Sequence, residues 1–167
     1  MKKHWIVFVV TVAVLLVLDL WLKSWASGNL CCCERHLYDG NVVLIPGVLG
    51  LTYFRNTGAL WGFLSGWDGA RWLLAALKVV ILGGLVWYYH RLPRENKFWA
   101  MRVPLILIFA GGAGNLFDRV AFGYVRDMIQ FIFVNFPIWN LADAYVTVGV
   151  FGLVFVGFFV IKDFPFP

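Results

Sequence analysis

Residues 138–161 read IWNLADAYVTVGVFGLVFVGFFVI. The stretch is apolar almost throughout and carries one charged side chain, Asp143. Its length is near the ~20 residues that cross a hydrocarbon core of about 30 Å. In lipid it must be helical, because every backbone N–H and C=O needs a partner inside the segment. Three more stretches share this character, so helices are expected at about 5–22, 72–90, 98–118 and 138–161. Composition agrees: of 167 residues, 62% are hydrophobic and only 14% charged, with a mean hydropathy of +0.80. A soluble domain this small has too much surface for its volume to hide so many apolar side chains. Nine Trp and sixteen Phe suit a bilayer, where aromatic rings gather at headgroup level. The expected fold is a mainly α membrane protein, a four-transmembrane-helix bundle forming a single membrane domain over 1–167.

The first stretch has the basic start of a secretory signal, Lys2-Lys3-His4, but no small-x-small site closes it. Asp19 and Lys23 follow at its far end, so it is expected to be a retained helix. The net charge of +5 does not make a nucleic-acid surface, because the basic residues are scattered at the ends of apolar runs. They read instead as topology signals. Lys2 and Lys3, then Arg91, Arg94, Lys97 and Arg102, then Lys162 place both termini and the loop between helices two and three in the cytoplasm. Segments 24–70 and 120–137 then lie outside. Within the first, NVVLIPGVLGLTY at 41–53 is β-branched and broken by Pro46, Gly47 and Gly50, which predicts short strands and turns in an insertion at about 38–66.

Ionisable residues near membrane spans are costly, so each one proposes a site. Of the nine acidic residues, Asp19, Asp118, Asp127 and Asp143 all fall near the outer ends of helices, at one depth. Asp19 and Lys23 are four apart on a helix and are expected to form a structural pair. Asn115, Asp118 and Arg119 close helix three, and Asp118 and Arg119 are expected to neutralise each other or to satisfy loop backbone. Gly111-Gly112-Ala113-Gly114 just before them allows close helix packing or close approach of a substrate chain. It is not a phosphate loop, because no strand precedes it and no Gly-Lys-Ser/Thr follows. Asp127 sits in the short outer loop, and Asp143 starts helix four behind Asn140 and Pro137.

Two carboxylates at one depth, without an obligatory cation, are what an aspartic protease requires. Held close, they share one proton. The alternative from spacing alone is that Asp143 caps helix four and Asp127 is a solvated loop residue.

Other chemistries find less support. His4, His36 and His90 do not cluster, and HExxH is absent. Ser24 beside Lys23 suggests a Ser/Lys dyad, but adjacent helical residues diverge by about 100°. Cys31, Cys32 and Cys33 are contiguous, which suits neither a disulfide framework nor a metal site; they read as a membrane-boundary cluster. Lys78, inside helix two, is expected to snorkel or to pair within the bundle. A GxGD-type intramembrane protease would need Asp where Asn115 stands. A small transporter or assembly factor using the acids as a conduit would string them across the membrane rather than gather them at one face.

The chain resembles the lipoprotein signal peptidases (signal peptidase II) along nearly its whole length. Five blocks carry the resemblance: Asp19-x-x-x-Lys23; Asn56-Thr57-Gly58-Ala59; Gly114-Asn115-Leu116-Phe117-Asp118-Arg119; Gly123-Tyr124-Val125-Arg126-Asp127; and Asn140-Leu141-Ala142-Asp143. The resemblance implies a bacterial inner-membrane aspartic endopeptidase that cuts a signal peptide just before a diacylglyceryl-modified cysteine. It places the catalytic pair on Asp127 and Asp143, and supporting or substrate-binding roles on Asn56, Gly58, Asn115, Arg119 and Asn140. Asp19, Lys23 and Asp118 are left as structural polar residues. It implies a small extracytoplasmic β-rich cradle, no metal and no cofactor. Its partners are lipidated precursors and membrane lipid, with no nucleic acid, and one chain holds a complete site, as a monomer would. Arg126-Asp127-Met128 departs from the apolar-Asp-aromatic pattern more usual in the family, and Arg126 is expected to point away from Asp127. An outer loop carrying Asn56 and Trp61 is expected to close over the substrate.

Overall fold

The computed structural model describes residues 3–30, 42–58 and 69–160. Cys31, Cys32, Cys33, His36, Ala59, Trp61 and Lys162 lie outside the described residues. Helix α1 spans Lys3–Asn29, α2 Ala70–Arg91, α3 Trp99–Phe122 and α4 Leu141–Phe155. A 3-10 turn, Asn96–Phe98, leads into α3, and a π-helical turn, Val156–Val160, extends α4. All four helices are long and apolar enough to cross a membrane, α4 by virtue of that extension. Large apolar side chains such as Val10, Val17, Val80, Phe151 and Phe158 stand exposed on α1, α2 and α4, as lipid-facing positions must. Exposed Trp21, Trp72 and Trp87 mark the two ends of the bundle.

Helix α3 is the axis, because it packs on each of the other three. Its glycines explain how. A Cβ on Gly111 would overlap the backbone oxygen of Ala142 in α4, one on Gly112 would meet Leu82 of α2, and one on Gly114 would overlap the carboxylate of Asp19 in α1. Three small residues thus open three different contacts. Two arginines finish the α2–α3 pairing. Arg71 of α2 donates to Arg119 O (2.9 Å) and to Val120 O near the end of α3. Arg102 of α3 donates to Tyr89 O, Leu92 O and Pro93 O at the end of α2 (3.0–3.1 Å). Each guanidinium binds carbonyls at or just beyond a helix C-terminus. Below them Phe8, Tyr89, Phe98, Met101 and Leu105 form the apolar core.

Three strands, β1 (Val42–Ile45), β2 (Leu49–Asn56) and β3 (Val125–Phe131), form an antiparallel sheet in that order. Ile45-Pro46-Gly47-Val48 is the β1–β2 turn, with Val48 N–H on Ile45 O at 3.0 Å. Gly47 has φ 72° at the third position, where a type II turn requires a positive value. The segment 120–137, expected as a loop, contributes β3. Its signal was weak because Arg126 and Asp127 interrupt the apolar alternation. Ala26, Leu30, Tyr53 and Met128 join the sheet to the far end of α1. Helix α4 begins at Leu141, not near 138, because Asn140 caps it and Trp139 is bridged to Ile129 of β3.

Gly111→Ala is expected to destabilise the detergent-solubilised protein by about 1–3 kcal/mol, because backbone rather than a flexible side chain blocks the new methyl. A melting temperature equal to wild type would contradict the close α3–α4 approach.

Candidate active site

Asp127 and Asp143 come from different elements, and backbone pairing brings them to one place. β2 pairs with β3 so that Phe54 faces Asp127 and Asn56 faces Val125. Asn56 and Asp127 are therefore diagonal neighbours on one face of the sheet, and Asn56 Nδ2 donates to Asp127 Oδ2 at 3.0 Å. Across β3, Trp139 O accepts from Met128 N and Ile129 N, and Trp139 N donates to Ile129 O. That bridge lays Asn140 beside Asp127.

Asn140 then uses its whole amide. Its Nδ2 donates to Asp127 Oδ1 (2.6 Å) and to Asn115 Oδ1 (3.1 Å). Its Oδ1 accepts from Asp143 N at 3.0 Å. Asp143 Oδ2 accepts from Asn140 N at 3.2 Å, which completes a capping box at the start of α4. The other oxygen, Asp143 Oδ1, accepts from Asn115 Nδ2 at 2.7 Å. Capping thus occupies one oxygen of Asp143 and leaves the second turned to the site. Asp127 is buried, and loss of water together with the nearby Asp143 charge pushes its carboxyl up to about 7; the Asn56 and Asn140 hydrogen bonds and the Lys23 charge oppose that rise.

Behind the pair stands a buried charge network. Lys23 Nζ lies 2.8 Å from Asp19 Oδ2 and 3.5 Å from Asp118 Oδ2, and donates to Asn115 Oδ1 at 3.0 Å. Asp19 Oδ1 accepts from Ala142 N of α4 at 3.0 Å. Of the two roles expected of Asp118 and Arg119, mutual neutralisation is not seen, and both satisfy backbone groups. Asp118 Oδ1 accepts from Arg126 Nε (3.1 Å) and Nη2 (2.7 Å), and its Oδ2 from Arg126 N (3.0 Å). Adjacent helical residues splay apart, so Arg119 faces elsewhere. Its Nη2 donates to Gly58 O at 2.6 Å, while Nε and Nη1 are buried without a partner among the described residues. Gly58 N in turn donates to Asn56 Oδ1 at 3.1 Å. The Arg126 guanidinium, held on Asp118 and over the Phe122 ring, is turned away from Asp127.

The structure therefore gathers Asn56, Gly58, Asn115, Arg119, Asp127, Asn140 and Asp143 around one place, with Asp19, Lys23 and Asp118 behind. Sequence reasoning missed the role of Trp139, whose backbone rather than side chain does the positioning. It also missed Arg126 as the partner of Asp118. A basic residue facing an acid across eight positions and a strand turn leaves no helical spacing to read. Among the described residues, no group of His, Cys, Asp and Glu is arranged to hold a metal ion.

Comparison with known proteins points to one family. Residues 11–159 match the family described as signal peptidase (SPase) II. The chain is 40% identical over 150 residues to a lipoprotein signal peptidase of Streptococcus pneumoniae, covering 90% of each chain. It is 37% identical over 162 residues to a lipoprotein signal peptidase of Pseudoalteromonas translucida, covering 94% of this chain and 91% of that one. A bacterial membrane enzyme solved by the in meso method superposes with TM-score 0.78 at 30% identity, covering 95% of this chain and 94% of that one.

Asp118→Ala is expected to cost about 3–5 kcal/mol, because it strands the buried Arg126 guanidinium and weakens the hold on Lys23. Chemical denaturation in micelles measures this; a loss below about 1 kcal/mol, the level of an exposed ion pair, would contradict the network.

Proposed function

Because the chain belongs to the signal peptidase II family, a family of bacterial membrane peptidases, we propose that it removes the signal peptide of prolipoproteins just before their diacylglyceryl-modified cysteine, using Asp127, Asp143 and a water. The observation that carries this reading is the single residue Asn140, which donates from Nδ2 to the Asp127 carboxylate and from its backbone N–H to the Asp143 carboxylate, while its Oδ1 accepts from Asp143 N. One residue thus touches both carboxyls.

In the proposed cycle the pair holds one proton at neutral pH. Asp127 carries it, consistent with a carboxyl pushed up to about 7. Asp143, ionised, removes a proton from a water lying between the carboxyls, and the hydroxide attacks the scissile carbonyl carbon. Asp127 gives its proton to the carbonyl oxygen. The tetrahedral intermediate then collapses, returning that proton to Asp127, while Asp143 delivers its proton to the departing amine of the cysteine. The two Arg119 nitrogens without a partner among the described residues donate to backbone carbonyls of the bound substrate. Asn56 and Gly58, tied together and to Arg119, form the wall on the sheet side.

The lipidated precursor enters from the bilayer, and its acyl chains stay in hydrocarbon at about 0.8 kcal/mol per buried methylene. This anchors the scissile bond at the depth of the dyad. Both termini are cytoplasmic and the site faces the outer leaflet, as the Lys/Arg distribution indicates. One chain supplies every residue of the site, so the acting unit is a monomer. Asp19, Lys23 and Asp118 serve as the scaffold.

Asp127→Asn and Asp143→Asn are each expected to abolish cleavage of a lipidated precursor, read by product mass, with folding retained; near-normal turnover by either variant would end the dyad assignment. Wild-type protein should release a free diacylglyceryl-cysteine amino terminus from that precursor and leave the unlipidated one intact. The pH profile follows from Asp127. Its proton is present below about 7 and lost above it, so kcat/KM is expected to fall as pH rises through that region. A rate that climbs steadily to pH 9 would refute the assignment.

A further inference from the structure

Arg71, Ala75, Lys78, Leu82, Leu85 and Tyr89 recur on α2 at spacings of four and three, so they form one helix face. That face is turned into the bundle. Arg71 donates to the end of α3, Ala75, Leu82 and Tyr89 are buried, and Leu85 packs on the core. Lys78 is the charged member in its middle. Helices α2 and α3 run antiparallel, with Arg71 beside Gly123 and Leu82 beside Gly112. This register sets Lys78 level with Leu116, next to Asn115, whose amide holds Asp143.

Lys78 nevertheless has no hydrogen-bond or ion-pair partner among the described residues. Its side chain is half-buried, and the expected pairing is not found among the described residues. Asp143 accepts from Asn115 and Asn140 instead. Lys78 lies about 10 Å along the axis from Arg71, near the start of α2. An ammonium at membrane depth without an acceptor is costly.

We propose that Lys78 is a substrate-binding residue, whose ammonium donates to an uncharged carbonyl oxygen of the lipidated substrate beside the scissile bond. The proposal rests on the peptidase reading above. Two carbonyls of this chemistry arrive at that depth: the backbone carbonyls flanking the cleavage point and the ester carbonyls of the diacylglyceryl group.

The test compares wild type, Lys78→Met and Lys78→Arg on two synthetic precursors, one with an ester-linked and one with an ether-linked diglyceride. Lys78→Met keeps the stem and removes the donor. It is expected to raise KM about tenfold on the ester substrate, the scale of one charge-assisted hydrogen bond, with kcat held within about twofold. Lys78→Arg, still a cationic donor, should stay near the wild-type KM. If the Lys78→Met effect disappears on the ether substrate, the acceptor is an ester; if it persists on both, the acceptor is a backbone carbonyl. Either result sustains the proposal. An unchanged KM on both substrates, or a loss of kcat alone, overturns it. Wild-type protein inactive on both would overturn the peptidase reading and this proposal with it. Should Lys78→Met melt early, Lys78→Gln replaces it under the same criteria.

Discussion

Everything at this site depends on one ammonium group that must be neutralised away from water. Lys23 is wholly buried, and its Nζ has three donors to satisfy. It finds Asp19 on its own helix and Asn115 and Asp118 on α3. Each of these is committed elsewhere as well. Asp19 accepts from the first turn of α4, Asn115 donates to Asp143, and Asp118 grips Arg126 at the start of β3. A single charge thus fixes the mutual placement of α1, α3, α4 and the sheet. Breaking such a pair in lipid is far costlier than breaking one at a wet surface.

The same arrangement explains why α3 carries so little bulk where it does. Gly114 leaves the space that the Asp19 carboxylate fills, and Gly111 lets the backbone of Ala142 come close. Ala142 is flanked by Leu141 and Asp143, so the closeness of α3 and α4 also sets how Asp143 meets Asn115. Packing and electrostatics are not separable here. The small residues admit the charges, and the charges hold the helices at the distance that the small residues permit.

The four spans were legible because lipid imposes a strong and simple rule on sequence: long apolar runs bounded by charges. The Pro46-Gly47 turn was legible for a comparable reason, since few residues satisfy its backbone. β3 was not, because its pairing is decided by β2, far away in the chain, and Arg126-Asp127 masks its alternation. The gathering of Asp127 and Asp143 at one depth followed from topology alone, but their connection through Asn140 did not. It needs the Ile129–Trp139 bridge, which no local pattern announces. Of the two roles read for Asp118 and Arg119, satisfying backbone holds and mutual pairing does not, because neighbours on a helix point apart while Arg126, on the strand, points back.

The central claim is that the two carboxyls hold one proton between them, on Asp127, where burial and a second carboxylate keep it. Infrared difference spectroscopy across a pH titration reads this directly through the C=O stretch of a protonated carboxyl. The account predicts a band present at pH 6, fading near pH 7 and missing from Asp127→Asn. A wild-type spectrum with no such band at pH 6, both side chains already ionised, would contradict it.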